Sequence, residues 1–139
     1  MRTLIACLFF ASPAAAWDFM PGLPCLLTHS DPALDIALTH DPTQPLYTIA
    51  LTRDAPWPEG ESFSLAFANG ITISTPFHAL TNDGRTVTVA DRGFGNVIIG
   101  LMSGGIATAI LGPEAVPFSA IGAAEPTRAF AACTPPPAA

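Results

Sequence analysis

Hydrophobic side chains recur at every second position over much of this chain. The pattern is clearest in residues 34–39, 47–52 and 62–67, where large apolar residues alternate with Asp, Thr, Ser and Ala. Successive side chains of a β-strand point to opposite faces, so this alternation is typical of strands with one buried face. The runs follow one another too closely for crossover helices. The chain is therefore predicted to be all-β, an antiparallel β-sandwich or small barrel with a short C-terminal helix.

Turn residues separate these runs. Asn69 and Gly70 form the strongest short hairpin signal, in which both turn positions are expected to have positive φ. A second turn is predicted at 82–84, before alternating valines and threonines. Prolines fall mostly between the runs or at their ends, where they do not interrupt strand pairing.

Residues 1–16 have the pattern of an export signal. Arg2 supplies a positive charge, residues 3–11 form an apolar run, and three alanines precede the expected cleavage point. The run is too short to cross a bilayer as a helix, which needs about 20 residues. We therefore predict a periplasmic protein with one β-rich domain, residues 17–139, that ends in a Pro- and Ala-rich tail from 134.

Two cysteines remain after removal of the signal, and they bracket nearly all of the domain. In an exported protein Cys25 and Cys133 are expected to pair. Closing so long a loop is expected to stabilise the fold by about 4–5 kcal/mol on the chain-entropy model.

The charge balance limits the class of partner. The whole chain carries five basic and eleven acidic residues, a formal net charge of −6. So acidic a domain lacks the positive surface that binds a phosphate backbone, which argues against nucleic acid as a partner. The acidic side chains are scattered, and solubility explains them more simply than attraction of a basic partner.

Residues 93–113 carry no charge and are long enough to span a membrane. One alternative is a single transmembrane helix near 94–112, with Gly100 and Gly104 in the spacing of helix dimers. The triplet at 103–105 reads as a turn, however, and a span would separate the two cysteines. We favour a short helix or strand near 95–102, a turn, and a strand at 106–111.

No catalytic or cofactor motif emerges. The glycines at 93 and 95 imitate half of a dinucleotide fingerprint, but the third glycine is missing. No zinc, phosphate-loop or nucleophile-elbow spacing is present, so we predict a non-enzymatic protein without a cofactor or metal. His29, His40 and His78 are interpreted as surface residues at strand ends.

Two loops are candidate contact sites. Trp57 lies between prolines in a rigid loop, where its indole either contacts a partner or, more simply, caps the core. Arg92 lies in the connection 91–96, where it either contacts a partner or forms an ion pair with an acid such as Asp91. Trp17 is expected to pack back over the sandwich and hold the N-terminus in place.

The end of the chain carries a resemblance. A strand at 116–122 with its terminal glycine, a helix start at Glu125 and Pro126, and the segment 128–133 resemble the ending of small exported proteins of the invasion-associated locus B type. That resemblance implies a periplasmic β-sandwich without known catalytic residues.

A second similarity suggests an alternative function. Periplasmic inhibitors of C-type lysozyme are also small, exported, β-rich and disulfide-closed, and Ser103 and Gly104 match the first two residues of their Ser-Gly-x-x-Tyr loop. Our first hypothesis is a non-enzymatic binding or structural protein of the bacterial cell envelope, with an envelope protein or glycan as partner. The alternatives are an inhibitor of a basic envelope enzyme and a membrane-anchored protein.

Overall fold

The computed structural model describes residues 16–133. The predicted signal, apart from Ala16, and the tail from 134 lie outside the described residues. Within them the chain forms ten strands and two helices. In chain order these are β1 (Asp18–Met20), β2 (Cys25–Ser30), β3 (Asp35–Asp41), β4 (Leu46–Thr52), β5 (Phe63–Ala66), β6 (Thr72–Thr75), β7 (His78–Thr81), β8 (Thr86–Asp91), α1 (Gly95–Met102), β9 (Ile106–Leu111), β10 (Glu114–Ser119) and α2 (Ala124–Ala131).

The strands form two antiparallel sheets. The larger has six strands in the order β1-β2-β3-β4-β8-β7, and the smaller has four in the order β10-β9-β5-β6. Each sheet keeps two free edges, so the arrangement is a sandwich and not a closed barrel. The predicted all-β class and the short C-terminal helix are both confirmed.

The alternation seen in the sequence produces the core between the sheets. Strands β2, β3, β5 and β9 bury every second side chain. Leu38 lies opposite Leu27 on one neighbouring strand and Ile49 on the other, so apolar side chains form continuous rows across the inner face. The smaller sheet contributes Phe63 and Leu65 to the same core. Burial of these rows fixes the strand register, because a slip of one residue would expose them all.

Both predicted hairpin turns are present, with one difference in detail. Asn82 and Asp83 have φ values of 55° and 56°, as a tight turn between β7 and β8 requires. In the β5–β6 turn only Gly70 has a positive φ, 90°, and the expectation of a positive φ at Asn69 is wrong. The backbone N–H of Phe67 donates to Ile71 O across this turn, which makes a three-residue loop with glycine in the left-handed position.

The uncharged segment 93–113 folds as helix, turn and strand, as favoured above. Gly104 and Gly105 have φ values of 71° and 67°, so the chain reverses between α1 and β9. The alternative of one continuous helix over 94–112 is therefore wrong. No helix within residues 16–133 has the length and apolar character needed to cross a bilayer.

The β3–β4 turn holds a hydrogen-bonded carboxylate. The Thr43 hydroxyl and the Thr43 backbone N–H both donate to Asp41 Oδ1. These two bonds, the hydroxyl bond more than the backbone bond, hold the pKa of Asp41 below its usual value. They stabilise the ionised carboxylate and with it the turn.

One edge of the sandwich, which we call the closed edge, consists of β1 in the larger sheet and β10 in the smaller. The indole of Trp17 is buried and stacks on His29, with ring centroids 4.6 Å apart, and its Nε1 donates to Ser119 O at 3.0 Å. Asp31 Oδ2 accepts the Ser119 backbone N–H at 2.7 Å. These bonds join the two sheets and confirm that Trp17 packs back over the sandwich.

A disulfide lies next to the closed edge. Cys25, at the start of β2, is bonded to Cys133, just after α2, and their Cα atoms are 6.5 Å apart. Helix α2 packs against β1 and β2, and its Phe130 is fully buried. The predicted pairing is therefore confirmed, and it fixes α2 across the end of the larger sheet.

Candidate functional site

The opposite edge of the sandwich, which we call the open edge, consists of β6 in the smaller sheet and β7 in the larger. The chain passes from one sheet to the other here through Pro76 and Phe77. A cleft of about 730 Å³ enters the sandwich beside this connection. It is lined by residues of both sheets and of α1, so it lies between the layers. Its volume falls within the range of small-molecule sites, roughly 300–1,000 Å³.

The floor and walls of the cleft are apolar. Ile49, Phe63 and Leu65 form the floor, and they belong to the hydrophobic core. The half-buried side chains of Ile73 on β6 and Val89 on β8 form the walls. The alternation that fills the core elsewhere thus continues into a space that residues 16–133 do not fill.

An exposed aromatic ring lies at the mouth of the cleft. Phe77 is 82% exposed, the most exposed of the large hydrophobic residues described. Its backbone N–H donates to Thr75 Oγ1 at 3.1 Å, which fixes the turn that presents the ring. A large apolar side chain held at the mouth of an apolar cleft is typical of a binding site.

The roof comes from the N-terminal part of α1. Phe94 and Val97 are buried and line the cleft, and Phe94 also stacks on Tyr47 with centroids 5.4 Å apart. Tyr47 stacks in turn on His40 at 3.9 Å, with Phe130 against both rings. This aromatic cap, formed by His40, Tyr47, Phe94 and Phe130, connects the roof of the cleft to helix α2.

The connection 91–96, the second of the two candidate loops, forms part of the rim. Asp91 and Asn96 line the cleft, while Arg92 is exposed and lies outside the lining. The Arg92 backbone N–H donates to Asp91 Oδ1 at 2.7 Å. Within residues 16–133 the Arg92 guanidinium forms no salt bridge, so the suggested ion pair with Asp91 is replaced by a backbone hydrogen bond.

Trp57, the first candidate contact residue, is not exposed. Its side chain is buried, with the residue 4% exposed, and its Nε1 donates to Leu51 O at 3.2 Å. The Arg53 guanidinium lies 4.5 Å above the ring, and Phe63 meets the indole edge-on. Of the two alternatives for Trp57, an exposed contact is therefore wrong, and the simpler one, that it caps the core, describes its position.

Two histidines also lie inside. His29 is 3% exposed and His40 is 7% exposed, so their interpretation as surface residues is wrong, whereas His78 is half-buried. His40 on β3 lies opposite Cys25 on β2, and Cys25 precedes His29 by four residues. The two imidazole rings are therefore about 13 Å apart along the strand direction. No group of three potential metal ligands occurs among residues 16–133.

His29 does approach an acid and a serine, but the contacts are structural. His29 Nε2 lies 3.1 Å from Asp31 Oδ2, and the same oxygen accepts the backbone N–H of Ser119. The Ser119 hydroxyl accepts the Ile121 N–H, and Trp17 covers the imidazole. A catalytic triad needs a base that contacts the nucleophilic hydroxyl at an accessible site. These contacts instead tie β10 to the end of β2.

Ser103 and Gly104, which match the start of the lysozyme-inhibitor loop, lie at the end of helix α1. The Ser103 hydroxyl donates to Gly100 O, and Gly104 has the left-handed conformation that often follows a helix. Ser103 and Gly104 thus terminate α1 and begin the turn to β9.

Comparison of the chain with models of protein families, with curated proteins and with solved structures finds no match. The fold and the cleft define a disulfide-closed β-sandwich with an apolar site at its open edge.

Proposed function

We propose that this chain is an exported, non-enzymatic binding protein of the bacterial cell envelope, and that it holds an apolar group of its ligand in the cleft at the open edge. The apolar cleft with Phe77 at its mouth is the observation that carries the proposal. An apolar floor of this kind suits a hydrophobic or amphipathic ligand better than a glycan, which needs many hydrogen-bonding groups.

The disulfide supports the proposed compartment. Bonds such as Cys25–Cys133 persist in oxidising spaces and are rare in the cytosol of mesophiles. The export pattern in residues 1–16 agrees with this compartment. Cell fractionation tests it: the protein should leave cells with the osmotic-shock fraction. Recovery only with spheroplasts would contradict a periplasmic location.

The chemistry of the lining favours binding without catalysis. Of the described residues that line the cleft, Asp91 is the one with a carboxyl group, and the others are apolar, glycine, Ser, Thr or Asn. An acid–base or nucleophilic mechanism needs a second group within hydrogen-bond reach of the first. Accordingly, the proposal assigns Asp91 no catalytic role.

A fluorescence titration tests the site. The oxidised protein is titrated with the neutral apolar dye N-phenyl-1-naphthylamine, whose emission rises in apolar surroundings. We expect saturable binding, weakened about three- to tenfold by Phe77→Ala, because the aromatic contact is lost. Ile121→Ala is the matched control, since Ile121 is 66% exposed and lies outside the lining.

A second variant blocks the cleft without touching the core. A Cβ at Gly93 would meet no atom of residues 16–133 within 4 Å, and its φ is not positive, so a side chain can start there without a backbone clash. Gly93→Trp should reduce dye binding while leaving the urea midpoint unchanged. Absence of saturable binding, or equal binding by Gly93→Trp, Phe77→Ala and the control, would refute the proposed function.

A further inference from the structure

We infer that the ligand of the cleft is a small amphipathic molecule with an apolar body and a cationic group, and that Asp91 recognises the positive charge. The inference rests on the proposed function and adds to it the charge of the ligand. The observation behind it is a single carboxylate in an otherwise uncharged and mostly apolar lining, which would complement a positive charge on the ligand.

Asp91 points to the cleft because of its register. It is the last residue of β8 and shares a face with Val87 and Val89, and Val87 is fully buried in the core. It pairs with Tyr47, whose ring lies in the aromatic cap. The row of side chains on the inner face of β8, Val87 and Val89, thus ends in the Asp91 carboxylate, where the apolar surface meets solvent.

The carboxylate keeps a free oxygen. Its Oδ1 accepts the Arg92 backbone N–H, while Oδ2 has no hydrogen-bond partner among residues 16–133. The Arg92 side chain, the nearest cation in the sequence, forms no salt bridge with it within the same residues. Asp91 therefore has no counterion among residues 16–133 and keeps an acceptor position for a ligand.

The surroundings of Asp91 leave room for a cationic group. Gly93 and Gly95 line the cleft next to it, and a Cβ at either position would meet no atom of the described residues within 4 Å. The Asn96 amide and the Thr75 hydroxyl add polar groups at the rim. An ammonium group could thus approach the carboxylate while its apolar body occupies the floor.

The charge of the whole chain acts in the same direction. A net charge of −6 raises the local concentration of small cations and lowers that of anions. An anionic amphiphile such as a fatty acid would place its carboxylate beside Asp91, where like charges repel. The cleft therefore favours a cationic head over an anionic one.

The test compares three probes with one apolar tail. Decyltrimethylammonium, decanoate and decanol, each below its aggregation concentration, compete with N-phenyl-1-naphthylamine at low salt and pH 7. An exposed carboxylate changes binding of a single charge by up to about fivefold. Because Asp91 attracts the cation and repels the anion, we expect the cation to bind about tenfold more tightly than the anion, with decanol between them. This ratio should fall at high salt.

Asp91→Asn isolates the carboxylate, since the amide keeps an oxygen for the Arg92 N–H. It should bring cation and anion to within about threefold of each other and leave decanol binding unchanged. Asp18→Asn, on β1 at the closed edge of the same sheet, is the matched control and should preserve the preference.

The outcomes separate this inference from the proposed function. If all three probes bind with equal affinity, or if Asp91→Asn keeps the wild-type preference, the inference is refuted while the cleft remains a binding site. If none of the probes displaces the dye and the dye itself does not bind, the proposed function fails as well.

Discussion

At the closed edge Trp17 and Asp31 bond to the backbone of Ser119 and join the sheets, whereas at the open edge the chain crosses between β6 and β7 and the layers separate around a cleft. The disulfide lies next to the closed edge and Phe77 at the mouth of the other. At the closed edge the Trp17 ring is buried and its Nε1 is hydrogen-bonded. At the open edge the Phe77 ring is exposed to solvent.

The difference shows how a small sandwich can keep a cleft between its layers that the described residues do not fill. An apolar cavity costs free energy through lost packing and transfer. The hydrogen bonds to Ser119 hold the layers together at the closed edge, and the disulfide fixes α2 beside it. The aromatic cap supports the roof of the cleft through Phe94. The comparison predicts that changes at the closed edge affect mainly stability, and changes at the open edge mainly binding.

The largest effect is expected from removal of the disulfide. Cys25→Ser with Cys133→Ser should lower the free energy of unfolding by about 4–5 kcal/mol, because the ring between them spans 108 residues and restrains the unfolded chain. Urea unfolding measures this, and reduced wild-type protein should match the double variant. An unchanged midpoint in both would show that the covalent bond does not stabilise the closed edge.

The next effect concerns Trp17. Trp17→Ala should cost about 3–5 kcal/mol, as for other buried large-to-small substitutions. Trp17→Phe keeps an aromatic ring over His29 but loses the hydrogen bond to Ser119, so the cost should be about 1–2 kcal/mol. Thermal or urea unfolding of both variants gives the comparison. Equal stability of Trp17→Ala and wild type would remove the basis for calling this edge closed.

Substitution of two glycines of α1 by alanine should change the stability of the protein in opposite directions. A Cβ at Gly100 would lie 2.3 Å from the Phe67 ring, so Gly100→Ala should destabilise by about 1–3 kcal/mol. Gly95→Ala meets open space in a helical position and should stabilise by about 0.4–1 kcal/mol. Urea midpoints of the two variants decide the matter. A loss of stability in Gly95→Ala would show that the rim of the cleft does not accept an added methyl group at this position, contrary to its geometry.

The smallest effect on stability is expected at Phe77. Because its ring is already in solvent, Phe77→Ala should change the free energy of unfolding by less than about 0.5 kcal/mol while weakening dye binding. Differential scanning calorimetry checks the first part. A decrease comparable with that of Trp17→Ala would show that both edges are structural and would end the comparison.

Local patterns were sufficient for most of the fold. Period-two alternation identified strands such as β3 and β4, and the uncharged segment 93–113 divided at its glycines as expected. The same alternation carried a signal that the interpretation of the histidines missed. His29 follows Cys25 and Leu27 at two-residue spacing, so it belongs to the buried face of β2.

The candidate site depended on contacts that no local pattern specifies. Whether the Trp57 loop folds inward depends on the position of Leu51 and Phe63, which only the assembled sheets determine. The exposure of Phe77 follows from the passage between sheets at β6 and β7, and the cleft follows from their separation. Of the two contact loops predicted from the sequence, only the segment 91–96 contributes to the cleft.

The covalent ring also imposes an order on the maturation of the chain. Cys25 emerges from the ribosome 108 residues before Cys133, so it remains a thiol without its proper partner while almost every strand is still being made. During that time it is available to small thiols, to oxidoreductases or to another copy of the chain. The native disulfide can therefore form only after all ten described strands and α2 have been synthesised, so it stabilises strands that already exist and does not guide their first pairing.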